Sequence, residues 1–322
     1  MSVVRWQLEQ ATAPVDPLAL DEVAGEVLVL EGVTSGDDPD LGWVRRAPCV
    51  VVGIAPVGEG RSAAVDVAVG ADEGDVVDAL AGAVSARPHA ARTLVDVLRT
   101  VAGLDVAGGL TVESLAYSAL LAGPEFESWL ASQPVRSRRS FEGEPVRVAR
   151  DGDDLRITLD RPANRNAFSA EMRDALFEAL SVALVDPSIA RVVLDAEGPV
   201  FSSGGDLTEF GTAADVVRAH EVRTQRSAGA LLDQLGDRVE VRVHGTCVGA
   251  GVELPAFARR VVARADTSFR LPELGMGLIP GAGGTVSLTR RIGRQRAARL
   301  ALLGEPIDVR EALAIGLVDA VD

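Results

Sequence analysis

The sequence predicts an α/β protein built in two parts, and three observations carry that reading. Short apolar runs of strand length alternate along the chain with segments whose apolar residues recur at helical spacing, the pattern of strands packed against helices. Two turns of small residues, Phe201-Ser202-Ser203-Gly204-Gly205-Asp206-Leu207 and Val248-Gly249-Ala250-Gly251, sit where a strand-like run gives way to a helix-compatible one. A polar stretch, 131–144, interrupts the alternation and divides the chain of 322 residues into parts covering 1–140 and 141–322, consistent with about two domains for this length.

Residues 1–20 are polar and punctuated by proline, which predicts a loosely held arm. Residues 27–30 suit a buried strand, as do 49–54 and 65–69, because β-branched apolar residues favour a pleated, covered surface. Asp37-Asp38-Pro39-Asp40 lies between them as a turn. The period then becomes helical over 76–84, 90–101 and 112–130, the last broken by a turn at Gly123-Pro124. The polar stretch that follows carries Arg136, Arg138 and Arg139 and reads as a solvated connector. The second part opens on a hairpin whose arms, 146–149 and 155–159, flank Asp151-Gly152-Asp153-Asp154. These acids resemble the start of a calcium loop, but its twelfth position is Pro162 rather than a glutamate, so a turn is predicted. Arg161-Pro162-Ala163-Asn164-Arg165-Asn166-Ala167 is an irregular loop. Ser169 is placed to cap a helix with Met172, Leu176 and Leu180 on its apolar face. Residues 192–194 form a short strand, the turn 201–207 leads into a helix, and the alternation continues to Leu317-Val318.

Composition narrows the chemistry. The chain is 47% hydrophobic and 25% charged, with a net charge of −15, which argues against a nucleic-acid surface. No apolar run reaches the roughly 20 residues that cross a membrane, and no basic-then-apolar signal opens the sequence, so the expectation is a cytoplasmic protein with no membrane partner. There is no lysine, which excludes Schiff-base chemistry and a Walker-type phosphate loop. Cys49 and Cys247 form neither a disulfide framework nor a metal-ligand spacing, and only three histidines exist, so no metal is expected. His244 ends an apolar strand and reads as a satisfied core residue.

The most informative stretch is Val243-His244-Gly245-Thr246-Cys247-Val248-Gly249-Ala250-Gly251-Val252-Glu253-Leu254. Its small residues admit a ligand close to the backbone. A helix start there leaves N–H groups unpaired and turns the positive end of its dipole outward, which suits an anion or a carbonyl oxygen that becomes one. Glu253 follows Ala250 by three residues, about one helical turn, on the same side. The same residues also suit a tight connection that serves packing alone.

Four segments together resemble the crotonase family, the enoyl-CoA hydratase/isomerase superfamily, over about 146–322. They are 161–167, 201–207, the stretch to Glu253, and Phe269-Arg270-Leu271-Pro272-Glu273 followed by Gly275-Met276-Gly277-Leu278-Ile279-Pro280-Gly281-Ala282-Gly283-Gly284-Thr285. The resemblance implies a crotonase-like core of repeated ββα spiral turns. It implies an oxyanion hole from the backbone N–H groups of Gly205 and Ala250, the second position being commonly glycine in the family. It implies catalytic carboxylates at Glu253 and Glu273, and Asn164, Arg165, Ala167, Ser203 and Asp206 bordering the nucleotide of coenzyme A. The implied activity is hydration of an enoyl-CoA, or dehydration of a 3-hydroxyacyl-CoA. Double-bond isomerisation, thioester hydrolysis and a non-catalytic subunit role stay open. No cofactor is implied, since coenzyme A belongs to the substrate, and a homo-oligomer, trimer-based in the family, is expected.

Family members carry a helical tail after the Leu317-Val318 strand, whereas this sequence stops at Asp322 and has an N-terminal extension. Segments 76–80, 86–92 and 115–126 resemble that tail, and the upstream strands resemble a shortened, degenerate crotonase unit without oxyanion loops. The expectation is that helices within about 71–134 cover the 146–322 core of the same chain or a neighbour.

Overall fold

The computed structural model describes residues 3–12, 23–134 and 142–322. Arg136, Arg138, Arg139 and the boundary expected at 140/141 lie outside the described residues. The first sheet is parallel, in the order β1 (Val3–Gln7), β2 (Val27–Glu31), β3 (Val50–Ala55) and β4 (Val67–Gly70). The three expected strands are present. The first strand and the helix after it, α1 (Leu8–Thr12), correct the expectation of a loose arm for residues 3–12; the rest of the stretch 1–20 lies outside the described residues. Polar Arg5 and Gln7 hid this edge strand. Both reach Glu31 on β2, at 2.8 and 2.9 Å, while Trp6 packs near Trp43 with ring centroids 6.1 Å apart.

Four helices follow: α2 (Gly74–Ala86), α3 (Pro88–Val101), α4 (Val106–Leu121) and α5 (Pro124–Ser132). Proline at the first position of α3 and α5 begins each helix where an N–H would be unpaired in any case. Among the described residues no single helix is long and apolar enough to cross a membrane; α4 and α5 pass such a test only as a pair bent by 62°.

The second part builds a six-stranded sheet in the order β13 (Ala320–Val321), β10 (Arg260–Ala263), β8 (Val239–Val243), β7 (Arg191–Ala196), β6 (Asp154–Leu159) and β5 (Val146–Asp151). Only the β5–β6 hairpin is antiparallel, turning at Gly152 with φ +61° as the sequence predicts. A smaller sheet orders β12 (Ile307–Asp308), β11 (Ser268–Arg270) and β9 (Thr246–Val248). Helices α6 (Ala170–Val185), α7 (Val216–Gln225), α8 (Ala228–Leu235), α9 (Ala250–Glu253), α10 (Gly284–Ile292), α11 (Arg294–Leu303) and α12 (Val309–Ile315) complete the fold. Ser169 caps α6 by accepting from Met172 N at 3.2 Å, and Met172, Leu176 and Leu180 are buried beneath it. The turn at 201–207 does not run into a helix as expected. Asp206 accepts from the N–H and hydroxyl of Thr208, an Asx turn that competes with helical bonding, and α7 begins only at Val216.

The two parts share one apolar core, which includes Leu94, Leu98, Val101 and Phe126 beside Val286, Leu288 and Ile292. Helices α3 and α4 lie against α10, α2 and α3 against α11, and α4 against α7. A Cβ at Gly109 would stand 2.8 Å from Val286, so α4 and α10 approach at a distance only glycine allows. Beneath the first sheet, buried Asp66 is held by Arg99 at 2.5 and 2.9 Å and by Arg294 of α11 at 3.0 Å. Arg99 also donates to the carbonyls of Ala47 and Cys49, so the buried charges are paired and bonded on every side. The extension therefore covers the core of its own chain.

Candidate active site

Two loops lie side by side at the centre of the second part. Val248 N donates to Ser202 O at 3.0 Å, and Ser202 and Cys247 form a parallel bridge. Around Gly205 the backbone bonds run from Phe168 N to Gly204 O and from Asp206 N to Phe168 O, stepping past the Gly205 N–H. In the second loop Gly249 N donates to Arg270 O, while Val252 N and Glu253 N donate to Gly249 O. Ala250 is the first residue of α9 and has no preceding turn to receive its N–H. Gly205 and Ala250 line one cavity of about 450 Å³, and so do Glu253 and Glu273. Helix α9 is shorter than its sequence suggests, because Pro255 turns the chain into a 3-10 segment.

The two expected carboxylates are held differently. Glu253 is 2% exposed, and its Oε2 accepts from Ala282 N at 2.7 Å and Gly284 N at 2.8 Å. Glu273 has a buried Oε2 with no partner among the described residues. A Cβ at position 249 would come within 2.5 Å of Glu273 Oε1, and Gly249 has φ +49°, so glycine is required there twice over. Burial raises both carboxyls. Glu273 is pushed up to about 7, and Glu253 well above the ordinary range by burial and by the charges of Glu273 and Glu113, against the pull of its two N–H donors. Buried acids that feel each other's charge do not ionise independently, so ionising one opposes ionising the other.

Sequence reasoning missed a third acid. Glu113, on α4, is 2% exposed and accepts from Gly283 N at 2.7 Å, Thr285 N at 2.9 Å and Thr285 Oγ1 at 2.7 Å. Four successive N–H groups, 282 to 285, thus alternate between Glu253 and Glu113 at the start of α10. One loop positions both acids, and the extension supplies one of them. Burial pushes Glu113 up to about 7 despite these donors. Leu110, Ser114, Tyr117 and Leu121 of α4 also line the cavity. Their spacing marks one helical face, the signal by which they could have been found.

Of the residues expected at the nucleotide, Asp206 lines the cavity and accepts from Asn164 Nδ2 at 3.1 Å. Ser203 N donates to Arg165 O at 2.9 Å, Arg165 has φ +52°, and Ala167 is buried. The structure gathers all five on one loop pair. It adds Asn166, fully buried, whose side chain accepts from Arg161 N and donates to the carbonyls of Glu197 and Val200. His244 is half-buried with Nε2 2.9 Å from Gly198 O, outside the cavity.

The sheets thus bring Gly205, Ala250 and the buried carboxylates of Glu253, Glu273 and Glu113 around one cavity. The model of the enoyl-CoA hydratase/isomerase family matches residues 155–322, and the chain belongs to that family. It is similar to 2,3-dehydroadipyl-CoA hydratase of Escherichia coli, with 35% identity over 174 residues, 54% of this chain and 68% of the relative. It is similar to a trans-2-decenoyl-acyl-carrier-protein isomerase of Streptococcus mutans, with 33% identity over 168 residues, 50% of this chain and 63% of the relative. Among solved structures it resembles one from Thermobifida fusca, assigned as an enoyl-CoA hydratase and determined in complex with CoA. That likeness has a TM-score of 0.51 and 28% identity, covering 55% of this chain and 72% of the other. The chain spans about two thirds of the length of these curated relatives. Residues 1–154 lie outside the family match.

Proposed function

We propose that this chain adds water across the conjugated double bond of an enoyl-CoA, or removes it from a 3-hydroxyacyl-CoA. The observation that carries this reading is the pairing in one cavity of Glu253, whose Oε2 is held by two N–H groups, with Glu273, whose buried Oε2 has none. The two donors oppose the rise that burial imposes on Glu253, and in this reading its Oε1, as a carboxylate, takes a proton from water. The water oxygen bonds to the β carbon, and the π electrons move to the thioester oxygen. The N–H groups of Gly205 and Ala250 hold the resulting enolate. Glu273, protonated in this reading, gives its proton to the α carbon, and the proton taken by Glu253 restores the pair. Asn164, Arg165, Ala167, Ser203 and Asp206 border the nucleotide of the substrate in this reading, and α4 closes the acyl side.

Moving a double bond needs a single acid, so the presence of both favours hydration over the isomerisation named for one relative. Product mass separates the two. Hydration yields an acyl-CoA heavier by one water, while a product of unchanged mass with a shifted double bond contradicts the proposal.

Ala250→Pro removes the N–H at a first helical position, where proline fits the backbone, so the fold is retained. Turnover is expected to fall about 100- to 1000-fold, the usual effect of losing one oxyanion donor. Ala250→Gly keeps the N–H and is expected within about twofold of the parent, well under the effect of a lost donor. Equal activity of both variants removes Ala250 as the donor.

A further inference from the structure

We propose that the acyl end of this cavity is a carboxylate subsite, and that the substrate is an enoyl-CoA whose acyl chain ends in a second carboxyl group held by Arg223. The proposal rests on the enoyl-CoA reading above. Three arginines line the cavity: Arg173, Arg223 and Arg226. Two are neutralised, Arg173 by Asp174 at 2.9 Å, and Arg226 by Asp174 and Glu178, each at 2.7 Å. Arg223, in the last turn of α7, has no carboxylate within ion-pair distance among the described residues. Its Nε donates to Ser114 Oγ at 3.0 Å, and its Nη2 donates to Ser118 Oγ and to Ser114 O at 3.3 Å. Ser114 Oγ also stands 2.9 Å from His220 Nδ1. Every one of these partners is neutral in charge or a hydroxyl. Nη1 donates to no described residue, so its hydrogens are available to a ligand.

Its position points to the acyl chain rather than the nucleotide. The guanidinium lies over the Tyr117 ring, 5.0 Å from its centroid. Gly281 packs against the same ring, where a Cβ would collide with it. The next residue, Ala282, holds Glu253. Arg223 is therefore one aromatic ring away from the reacting acids. Apolar Leu110, Leu121 and Leu254 line the same cavity. The loop pair expected to border the nucleotide reaches the cavity through Asp206.

A half-buried cation without a counter-ion lowers stability unless an anion completes it, and a carboxylate at the end of the acyl chain supplies that charge as an acceptor for Nη1. Glu113 is the nearby carboxylate, but its oxygens are taken up by Gly283 and Thr285. Burial pulls the Arg223 pKa below its ordinary value, in keeping with a charge that the protein leaves uncompensated.

The test compares trans-2-hexenoyl-CoA with trans-2-hexenedioyl-CoA, equal in chain length, using the full chain. The diacid is expected to have the higher kcat/KM. Arg223→Gln is expected to lower the ratio of diacid to neutral kcat/KM about 10- to 100-fold, mainly through KM, the scale of a lost charge-assisted contact. Arg223→Lys is expected to restore part of it. A wild-type preference for the neutral chain overturns the proposal. So does a loss in Arg223→Gln that is equal for both substrates, the outcome for a phosphate contact or a structural role. Calorimetric binding of hexanoyl-CoA and hexanedioyl-CoA, which have no double bond to hydrate, separates this claim from the catalytic one. Tighter binding of the diacid without turnover of either enoyl-CoA keeps the subsite and contradicts the hydratase reading; equal or weaker binding removes the subsite.

Discussion

Replacing Glu253 or Glu273 by glutamine is expected to lower hydration of an enoyl-CoA by about 100- to 10,000-fold while leaving the fold in place, the range for a lost general acid or base. Glutamine at 253 keeps a carbonyl oxygen to accept from Ala282 N and Gly284 N, so the loop that starts α10 stays held. What it loses is the charge that draws a proton from water. Glutamine at 273 loses the proton to be delivered to the α carbon. The Glu273 variant carries a second signature. Its carboxyl is pushed up to about 7 by burial, so the folded state favours the neutral form. That contribution to stability is present below the ordinary carboxylate pKa, about 4.3, and is lost as pH rises through 7. Glu273→Gln is therefore expected to melt higher than wild type at pH 8 and to lose part of that advantage at pH 5. Kinetics within about twofold of wild type for either variant remove that residue from the mechanism.

Expressed alone, residues 141–322 are expected to aggregate or to be inactive. Helices α3 and α4 cover α10, whose Val286, Leu288 and Ile292 are buried. Removing the cover exposes this apolar face to water, at about 25 cal/mol per Å² of apolar area. It also leaves Arg294 without Asp66 and deprives the 283–285 segment of Glu113. Adding residues 1–140 in trans is expected to recover soluble protein. A soluble, active fragment with an unchanged melting temperature contradicts this role for the extension.

Much of this architecture can be read from the sequence because local chemistry and tertiary context agree. The hairpin at Asp151-Gly152-Asp153-Asp154, the Ser169 cap with its buried Met172, Leu176 and Leu180, and the strand Val239–Val243 each follow from residues a few positions apart. The misreadings have long-range causes. The edge strand Val3–Gln7 is defined by partners on β2 about 24 residues away, which period and propensity do not register. The turn after Asp206 looked like a helix start because the competing Asx bond to Thr208 uses a side chain that also serves as a cap. Glu113 and Arg223 carry no motif. In α4 the glutamate resembles a solvated position, and only the packing of that helix over 283–285 makes it an active-site group.

The most direct measurement is the absorbance of the conjugated thioester after the purified 322-residue chain is added to trans-2-enoyl-CoAs of increasing chain length, neutral and carboxyl-terminated. A catalytic fall in absorbance for at least one member, abolished together by Glu253→Gln and Glu273→Gln, is the result this account requires. No turnover across the panel contradicts it and leaves a non-catalytic member of the family.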